Sequence, residues 1–157
     1  MFFRSARTKR TKVGRTAVIG AALAALALPM TGTASAADSW MVTTCRGASP
    51  FLLDFPYSGQ VTGGQYNSPG KATYTIDAGG SLWGGYDTQV TLNWTNLSTG
   101  ASGSETQRGS VGFVIGNGST MYFSPHTGPG TVRTDFTVVN SGLVPQTVDC
   151  SGTSEVR

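Results

Sequence analysis

Charged side chains are scarce in this sequence. Only 12% of the 157 residues are Asp, Glu, Lys or Arg, which is about half of the share in an average globular chain. Histidine occurs once, at His126, and the chain has no Gly-x-Ser-x-Gly motif. These absences argue against a histidine-based metal centre and against the common serine-hydrolase arrangement. We therefore interpret His126 as a solvated loop residue and predict neither a metal nor a cofactor.

The basic residues are distributed unevenly, because six of the eleven lie within the first 15 positions. An uncharged, mostly apolar run of 13 residues follows at 16–28, and Ala34-Ser35-Ala36 supplies a small-residue cleavage box. Such a succession is typical of a secretory signal peptide. The run is too short to span a membrane, which takes about 20 apolar residues. We predict a signal peptide for general secretion over 1–36, cleaved near Ala36, and a single exported domain over 37–157 without a transmembrane segment.

Removal of the signal peptide reverses the sign of the net charge. Residues 37–157 keep five basic residues against eight acidic ones, which gives a net charge of −3. Nucleic-acid binding requires a clustered basic face, and an anionic membrane attracts a polybasic segment. Five scattered cations form neither, so we exclude nucleic acid and a polybasic membrane contact and predict a secreted, extracellular protein.

Cysteine is also rare, with only Cys45 and Cys150 present. In an exported protein, two cysteines predict one disulfide bond, although two free buried thiols are the alternative. The disulfide would join the first strand of the domain to the last. Chain-entropy arithmetic gives a loop of this length about 4–5 kcal/mol of stabilisation. The wide separation excludes a redox-active Cys-x-x-Cys site.

Apolar residues of the domain alternate with polar ones at a period of two, and no stretch repeats them at helical spacing over three turns. The alternation is clearest at 72–76, 88–94, 121–123 and 132–138. Short strands separated by turn-forming residues predict an all-β fold, an antiparallel β-sandwich with an immunoglobulin-like Greek key of about seven to nine strands. A closed barrel is the main alternative. The alternation also places Trp94, Phe123 and Phe136 in the core.

Weaker patterns predict the remaining strands and turns. Further strands are expected at 40–45, 51–55, 111–115 and 147–150. The pair Gly63-Gly64 is interpreted as a turn. Gly116-Asn117-Gly118 is interpreted as a tight hairpin between 111–115 and 119–124, because Asn-Gly accepts positive φ angles.

The long basic signal head and the Gly- and Thr-rich strands resemble those of small secreted one-disulfide β-sandwich proteins of actinobacteria. The resemblance implies a common fold and export. It carries no motif, and it therefore assigns no function and no site residues.

Aromatic residues among glycines are the most specific indication of a binding site. Tyr66, Trp83 and Tyr86 stand in glycine-rich segments predicted to be loops, with Asn67 and Gln89 nearby. Exposed rings stack on sugar faces while amide groups read the hydroxyls, so these five residues are the candidate ligand-binding site. The alternative is that Trp83 folds back and caps the open end of the core.

The expected function is that of a non-enzymatic envelope or extracellular binding module, with carbohydrate as the most specific ligand class. One alternative is an inhibitor of an extracellular hydrolase that presents the Pro- and Gly-rich loop 125–130. A small secreted hydrolase is the third hypothesis, because glycoside hydrolysis needs two carboxylates in one cleft. The candidate acids for it are Asp54, Asp77, Asp87, Glu105, Asp135 and Asp149.

Overall fold

The computed structural model describes residues 40–65, 68–82, 84–113 and 117–157. All of them belong to one compact unit that covers 35–157. The predicted signal peptide at 1–36 lies outside the described residues. Within them the chain forms eight strands and no helix: β1 (Met41–Gly47), β2 (Tyr57–Gln65), β3 (Ala72–Ala78), β4 (Tyr86–Asn96), β5 (Ser102–Val111), β6 (Ser119–Phe123), β7 (Gly130–Ser141) and β8 (Gln146–Val156).

Two antiparallel four-stranded sheets pack face to face as a β-sandwich, as predicted. The strand orders are β1-β2-β3-β6 and β5-β4-β7-β8. The neighbours β3 and β6, and likewise β4 and β7, are not consecutive in the chain, so the connections between them cross from one sheet to the other. Because the described strands form two separate sheets, the closed-barrel alternative is wrong.

The alternation of apolar and polar residues in the sequence corresponds to side chains that point in turn to the buried and to the outer face of a sheet. In β3, for example, Ala72, Tyr74, Ile76 and Ala78 are buried while the residues between them face outward. The rings of Tyr74 and Phe123 both meet Phe136 edge to face, at centroid distances of 6.0 and 6.1 Å. Phe123 and Phe136 therefore lie in the core as predicted, whereas Trp94 is half-buried and packs against the edge of the core.

A disulfide bond joins Cys45 on β1 to Cys150 on β8, with 5.1 Å between the two Cα atoms. These strands belong to different sheets and pack against each other at one side of the sandwich. The predicted link between the first strand and the last is confirmed. It closes the side of the sandwich that is formed by β1 and β8, the first and the last of the described strands.

Three local predictions are wrong. Residues 51–55 form bends and a turn rather than a strand. Gly63 and Gly64 lie inside β2, paired with β3, rather than in a turn. Strand β5 ends at Val111, and β5 and β6 lie in different sheets, so the connection at 112–118 crosses the sandwich and is not a hairpin.

The antiparallel strands place the connections at two opposite ends of the sandwich. The connections 48–56, 79–85, 112–118 and 142–145 meet at one end, which we call the loop end. The opposite end carries Trp40, the turn at 97–101, the segment 124–129 and the C-terminal Arg157. This division matters because the surfaces of the two ends differ in composition.

Candidate binding surface at the loop end

The exposed large apolar residues are concentrated at the loop end. Of the ten such residues in the described part of the chain, six lie on its connections: Leu52, Leu53, Phe55, Phe113, Leu143 and Val144. The others are dispersed, with Trp40 and Leu97 at the opposite end and Val42 and Tyr122 on the outer face of one sheet. The loop end is thus the apolar surface of a domain whose sheet faces are mainly hydroxyl-bearing.

The connection 48–56 is fixed to the rest of the domain at both sides of its tip. On one side, the Phe51 ring packs against the core and lies 6.3 Å from the Tyr86 ring. On the other side, the Asp54 carboxylate accepts hydrogen bonds from the Ser81 hydroxyl and from the backbone N–H of Leu82 at 3.0 Å. The exposed residues between these anchors are therefore held in a defined position.

A second connection supports this loop. The Val144 N–H donates to the Pro50 carbonyl at 3.0 Å. Gly142 lies so close to Pro50 that an added Cβ would be 2.6 Å from the proline Cβ. The turn that exposes Leu143 and Val144 is thereby fastened to the loop that exposes Leu52 and Leu53, and we call these two connections together the apolar rim.

A small pocket of about 200 Å³ lies at the base of the rim, between the connection 48–56 and the Gly79–Ser81 segment. Its lining is mostly polar or small and includes Ser49, Asp54 and Ser81, with the Phe55 and Tyr86 side chains beside them. Burial raises the pKa of Tyr86 to about 12, and the Asp54 carboxylate contributes a smaller increase. The Tyr86 hydroxyl therefore stays protonated at neutral pH.

A larger and shallower groove of about 470 Å³ lies on the outer face of β4 and β5, next to the loop end. Its side chains pair across the strands. Arg108 Nε donates to Gln89 Oε1 at 2.9 Å, and the Ser110 hydroxyl donates to Asp87 Oδ1 at 2.9 Å. Ser141 completes the lining. The groove offers polar groups for a ligand but no aromatic ring among its lining residues.

Of the five predicted ligand-binding residues the structure describes Tyr86 and Gln89, and these two do not share a pocket. Gln89 lies in the polar groove, but Tyr86 is only 7% exposed and its ring is part of the core. Tyr86 therefore offers no exposed ring for stacking, because it begins β4 on the buried face. Tyr66, Asn67 and Trp83 lie outside the described residues. The residues that flank Tyr66 and Asn67 precede β3, and the residues that flank Trp83 follow it. These flanking residues therefore lie at opposite ends of that strand.

The loop 125–130, which the inhibitor hypothesis requires to protrude, is fastened to the domain. The Asn96 side-chain amide donates to the carbonyls of Thr127, Gly128 and Pro129 at 2.9–3.3 Å. Pro125 and Thr127 are buried, while His126 is exposed, as predicted. His126 and Pro129 are the exposed residues of this loop, so it presents only a small surface to an enzyme.

Most of the candidate carboxylates serve local contacts. Asp77 accepts from Thr120, Glu105 from the Ser124 N–H, and Asp149 from Thr137. Asp135 and Asp149 lie on neighbouring strands of one outer face and line one open pocket of about 360 Å³, in which Asp135 is paired with Arg133 at 3.0 Å. Among the described residues no group of three or more His, Cys, Asp or Glu could hold a metal ion.

Comparison with known proteins yields no relative: no family model matches the sequence, and neither the curated proteins nor the solved structures give a match. In the described part of the chain no helix is long and apolar enough to cross a membrane. The function must therefore be inferred from the surface itself.

Proposed function

We propose that this protein is an exported, non-enzymatic binding module that engages an extracellular partner with its loop end. One observation carries the proposal: six of the ten exposed large apolar side chains of the described residues lie together on connections at that end. Scattered exposed apolar residues are normal on soluble domains, whereas their concentration at one end is typical of a binding surface.

The rest of the surface supports this interpretation by contrast. The outward positions of β4 are Asp87, Gln89, Thr91, Asn93 and Thr95, and those of the adjoining β5 are Ser, Thr and Arg. Such a surface remains well hydrated. The exposed apolar residues at the loop end do not contribute to solubility. Their position on braced connections suits a preformed contact surface, because little ordering entropy is then lost on binding.

Export is part of the proposal and rests on two features. The pattern of residues 1–36 is that of a secretory signal peptide. The Cys45–Cys150 disulfide is a bond that persists in oxidising compartments and is rare in the cytosol. We therefore place the binding event outside the cell or at its envelope.

The more specific alternatives have less support. A carbohydrate platform loses Tyr86 to the core, and the polar groove that contains Gln89 has no ring in its lining. The inhibitor hypothesis depends on the loop 125–130, in which only His126 and Pro129 are exposed. The hydrolase hypothesis requires two free carboxylates in one cleft. Asp135 and Asp149 line one open pocket, but Asp135 is paired with Arg133 and Asp149 accepts a hydrogen bond from the Thr137 hydroxyl.

The proposal is tested by comparing one substitution at each end of the sandwich. Leu143→Asp places a charge on the apolar rim, and Leu97→Asp places the same charge on an exposed leucine of the opposite end. The exported protein and both variants are labelled and incubated with washed cells, isolated envelope and concentrated culture fluid of the source organism. We expect retention to fall at least about tenfold for Leu143→Asp and to remain unchanged for Leu97→Asp. Equal effects of the two variants, or no retention of the parent protein, would contradict the proposal.

A further inference from the structure

We propose that the small pocket at the base of the apolar rim binds a primary alkylammonium group, carried by a free amine or by a lysine side chain of the extracellular partner. This inference deepens the proposed function and rests on it, since the pocket lies at the same loop end. Three features of the pocket carry the inference: an unpaired buried hydroxyl group, the sign of its charge and its aromatic lining.

The first feature is the hydroxyl group of Tyr57, which begins β2 and lines the pocket. Tyr57 is only 3% exposed, and its hydroxyl has no hydrogen-bond partner in the part of the chain that the structure describes. The hydroxyl of a buried tyrosine usually has a partner, because an unpaired one is unfavourable for folding. An ammonium group in the pocket supplies this partner by donating to the Tyr57 oxygen.

The second feature is the sign of the charge. The pocket contains the carboxylate of Asp54, and no Lys, Arg or His is among its described lining residues. Asp54 accepts hydrogen bonds from the Ser81 hydroxyl and from the backbone N–H groups of Phe55 and Leu82. These donors are neutral, so they orient the carboxylate without cancelling its charge. The pocket therefore attracts a cation and repels an anion.

Two tyrosine oxygens share the environment of this carboxylate. Burial raises the pKa of both Tyr57 and Tyr86; the Asp54 charge raises that of Tyr86 further, and the Tyr86 phenolate raises that of Tyr57. The three groups therefore lie close enough to repel one another as anions. An ammonium group placed among them is stabilised by the Asp54 charge and finds acceptors in the two hydroxyl oxygens.

The third feature is the aromatic lining, which consists of Phe55, Tyr57 and Tyr86. An ammonium ion is attracted by the face of an aromatic ring, and the aliphatic stem behind it packs against apolar surface. Phe55 is 55% exposed, so its side chain is accessible to an entering ligand. The volume of about 200 Å³ is below the about 300–1,000 Å³ of pockets for drug-sized ligands, and it suits one head group on a short stem.

The test measures the binding of n-butylammonium chloride to the purified protein by saturation-transfer NMR and calorimetry. The control probe is n-butanol, a neutral molecule with the same alkyl chain. We expect a dissociation constant of about 1 mM for n-butylammonium and at least about tenfold weaker binding of n-butanol, because the neutral probe lacks the attraction to the carboxylate and to the rings. Added salt should weaken the binding of n-butylammonium and leave that of n-butanol unchanged.

Two matched substitutions isolate the role of the Tyr57 hydroxyl. Tyr57→Phe removes the buried hydroxyl, and Tyr122→Phe removes one from a tyrosine that is 64% exposed on the outer face of β6. Tyr57→Phe should weaken n-butylammonium binding at least about fivefold, because a hydrogen bond to a charged group is lost. It should not lower the melting temperature, since this hydroxyl has no partner in the described residues of the unbound protein. Tyr122→Phe should change neither quantity.

The retention assay with washed cells, envelope and culture fluid then identifies the carrier of the ammonium group. Retention that is lost when n-butylammonium is added in excess, or when the amino groups of the partner material are acetylated, assigns a lysine side chain of the partner. Retention that withstands both treatments, together with Tyr57-dependent binding of n-butylammonium, assigns a free amine. Either result supports the proposed ammonium site.

Several outcomes would overturn the inference. These are no binding of n-butylammonium, equal binding of n-butanol, and binding that is insensitive to Tyr57→Phe; tighter binding of methyl glucoside would show a sugar site instead. If retention still depends on Leu143 in these cases, the proposed function stands and only the ammonium site is lost. Retention unaffected by Leu143→Asp, alongside Tyr57-dependent binding of n-butylammonium, would remove the proposed function and leave the pocket as a site for a free amine.

Discussion

At the scale of single residues, Asn96 contributes more to the fold than its polar side chain suggests. It is fully buried at the end of β4, and both atoms of its side-chain amide are used. The amide N–H group holds the segment 127–129, and the amide oxygen accepts from the backbone N–H groups of Ser98 and Thr99 at 2.9 and 3.1 Å. One side chain thus joins two connections at the opposite end of the sandwich.

Replacement of Asn96 by Ala should lower the free energy of unfolding by about 3 kcal/mol or more, because several backbone groups lose their partners in a buried place. The matched control is Asn93→Ala on the exposed face of the same strand, for which we expect a change within about 0.5 kcal/mol. Urea denaturation of the two variants measures the difference. Equal stabilities of the two variants would contradict the role assigned to Asn96.

A second prediction at this scale concerns alkaline pH. The pKa of Tyr86 in the folded protein, about 12, lies above the unfolded value of 10.0, since burial disfavours the phenolate. The stabilisation that this shift represents is complete below pH 10 and is lost as the pH rises towards 12, because the unfolded chain releases its proton first. Burial raises the pKa of Tyr57 and Tyr74 as well, so these two residues also contribute to the loss of stability at alkaline pH.

Tyr86→Phe should therefore make the fall in stability between pH 10 and 12 less steep without abolishing it. Its ring can keep its contact with Phe51, so stability at pH 8 should change little. Urea denaturation at several pH values between 8 and 12 gives both slopes. Identical slopes for the parent protein and the variant would show that the Tyr86 hydroxyl does not contribute to the alkaline loss.

At the scale of elements, the disulfide is the covalent link between the two sheets. It joins β1 to β8, two strands that otherwise meet only through side-chain packing between the sheets. Cys150→Ala should lower the free energy of unfolding by about 2–5 kcal/mol or prevent accumulation of the exported protein. Thiol titration of the parent protein should find no free thiol. The control is Thr147→Ala on the exposed face of β8, which should leave the stability unchanged. Unchanged stability after Cys150→Ala or after reduction of the disulfide would contradict the role assigned to this bond.

The strands that the sequence predicts well are those with apolar side chains on their buried face. In β3, β4 and β7 the inward positions carry residues such as Tyr74, Leu92 and Phe136, so the period of two is visible. Strand β2 and strand β5 lack this signal because several inward positions are glycine. A Cβ at Gly63 would overlap the Tyr74 ring, and one at Gly103 would lie 2.7 Å from Trp94 Cζ2. The bulky partner is on the neighbouring strand, so the glycine pair of β2 resembles a turn when read alone.

For the loop 48–56 the sequence-based prediction fails in the opposite way, because it assigns a strand where the fold has none. Residues 51–55 are mostly apolar, and a short apolar run predicts a buried strand. In the fold only Phe51 of this run packs against the core, and Leu52, Leu53 and Phe55 are exposed. Composition indicates that a residue is apolar but not which surface covers it. The proposed binding surface could not be predicted, because it is made of apolar residues whose sequence pattern indicates the interior.

At the scale of the whole molecule, the sandwich separates two kinds of surface. The sheet faces are polar, the opposite end is held together by Asn96, and the loop end gathers the exposed apolar residues. If the protein is exported as we propose, this surface faces the outside of the cell. The central claim is that the loop end, and no other part of the domain, is covered when the protein is bound.

Carbene footprinting of the free and the cell-bound protein, read by mass spectrometry, tests this claim most directly. It labels exposed side chains irrespective of type and reports which of them become covered. We expect Leu52, Leu53, Phe55 and Leu143 to lose most of their labelling on binding, while Trp40 and Leu97 are labelled as in the free protein. Protection of Trp40 and Leu97 with continued labelling of Leu53 would contradict it.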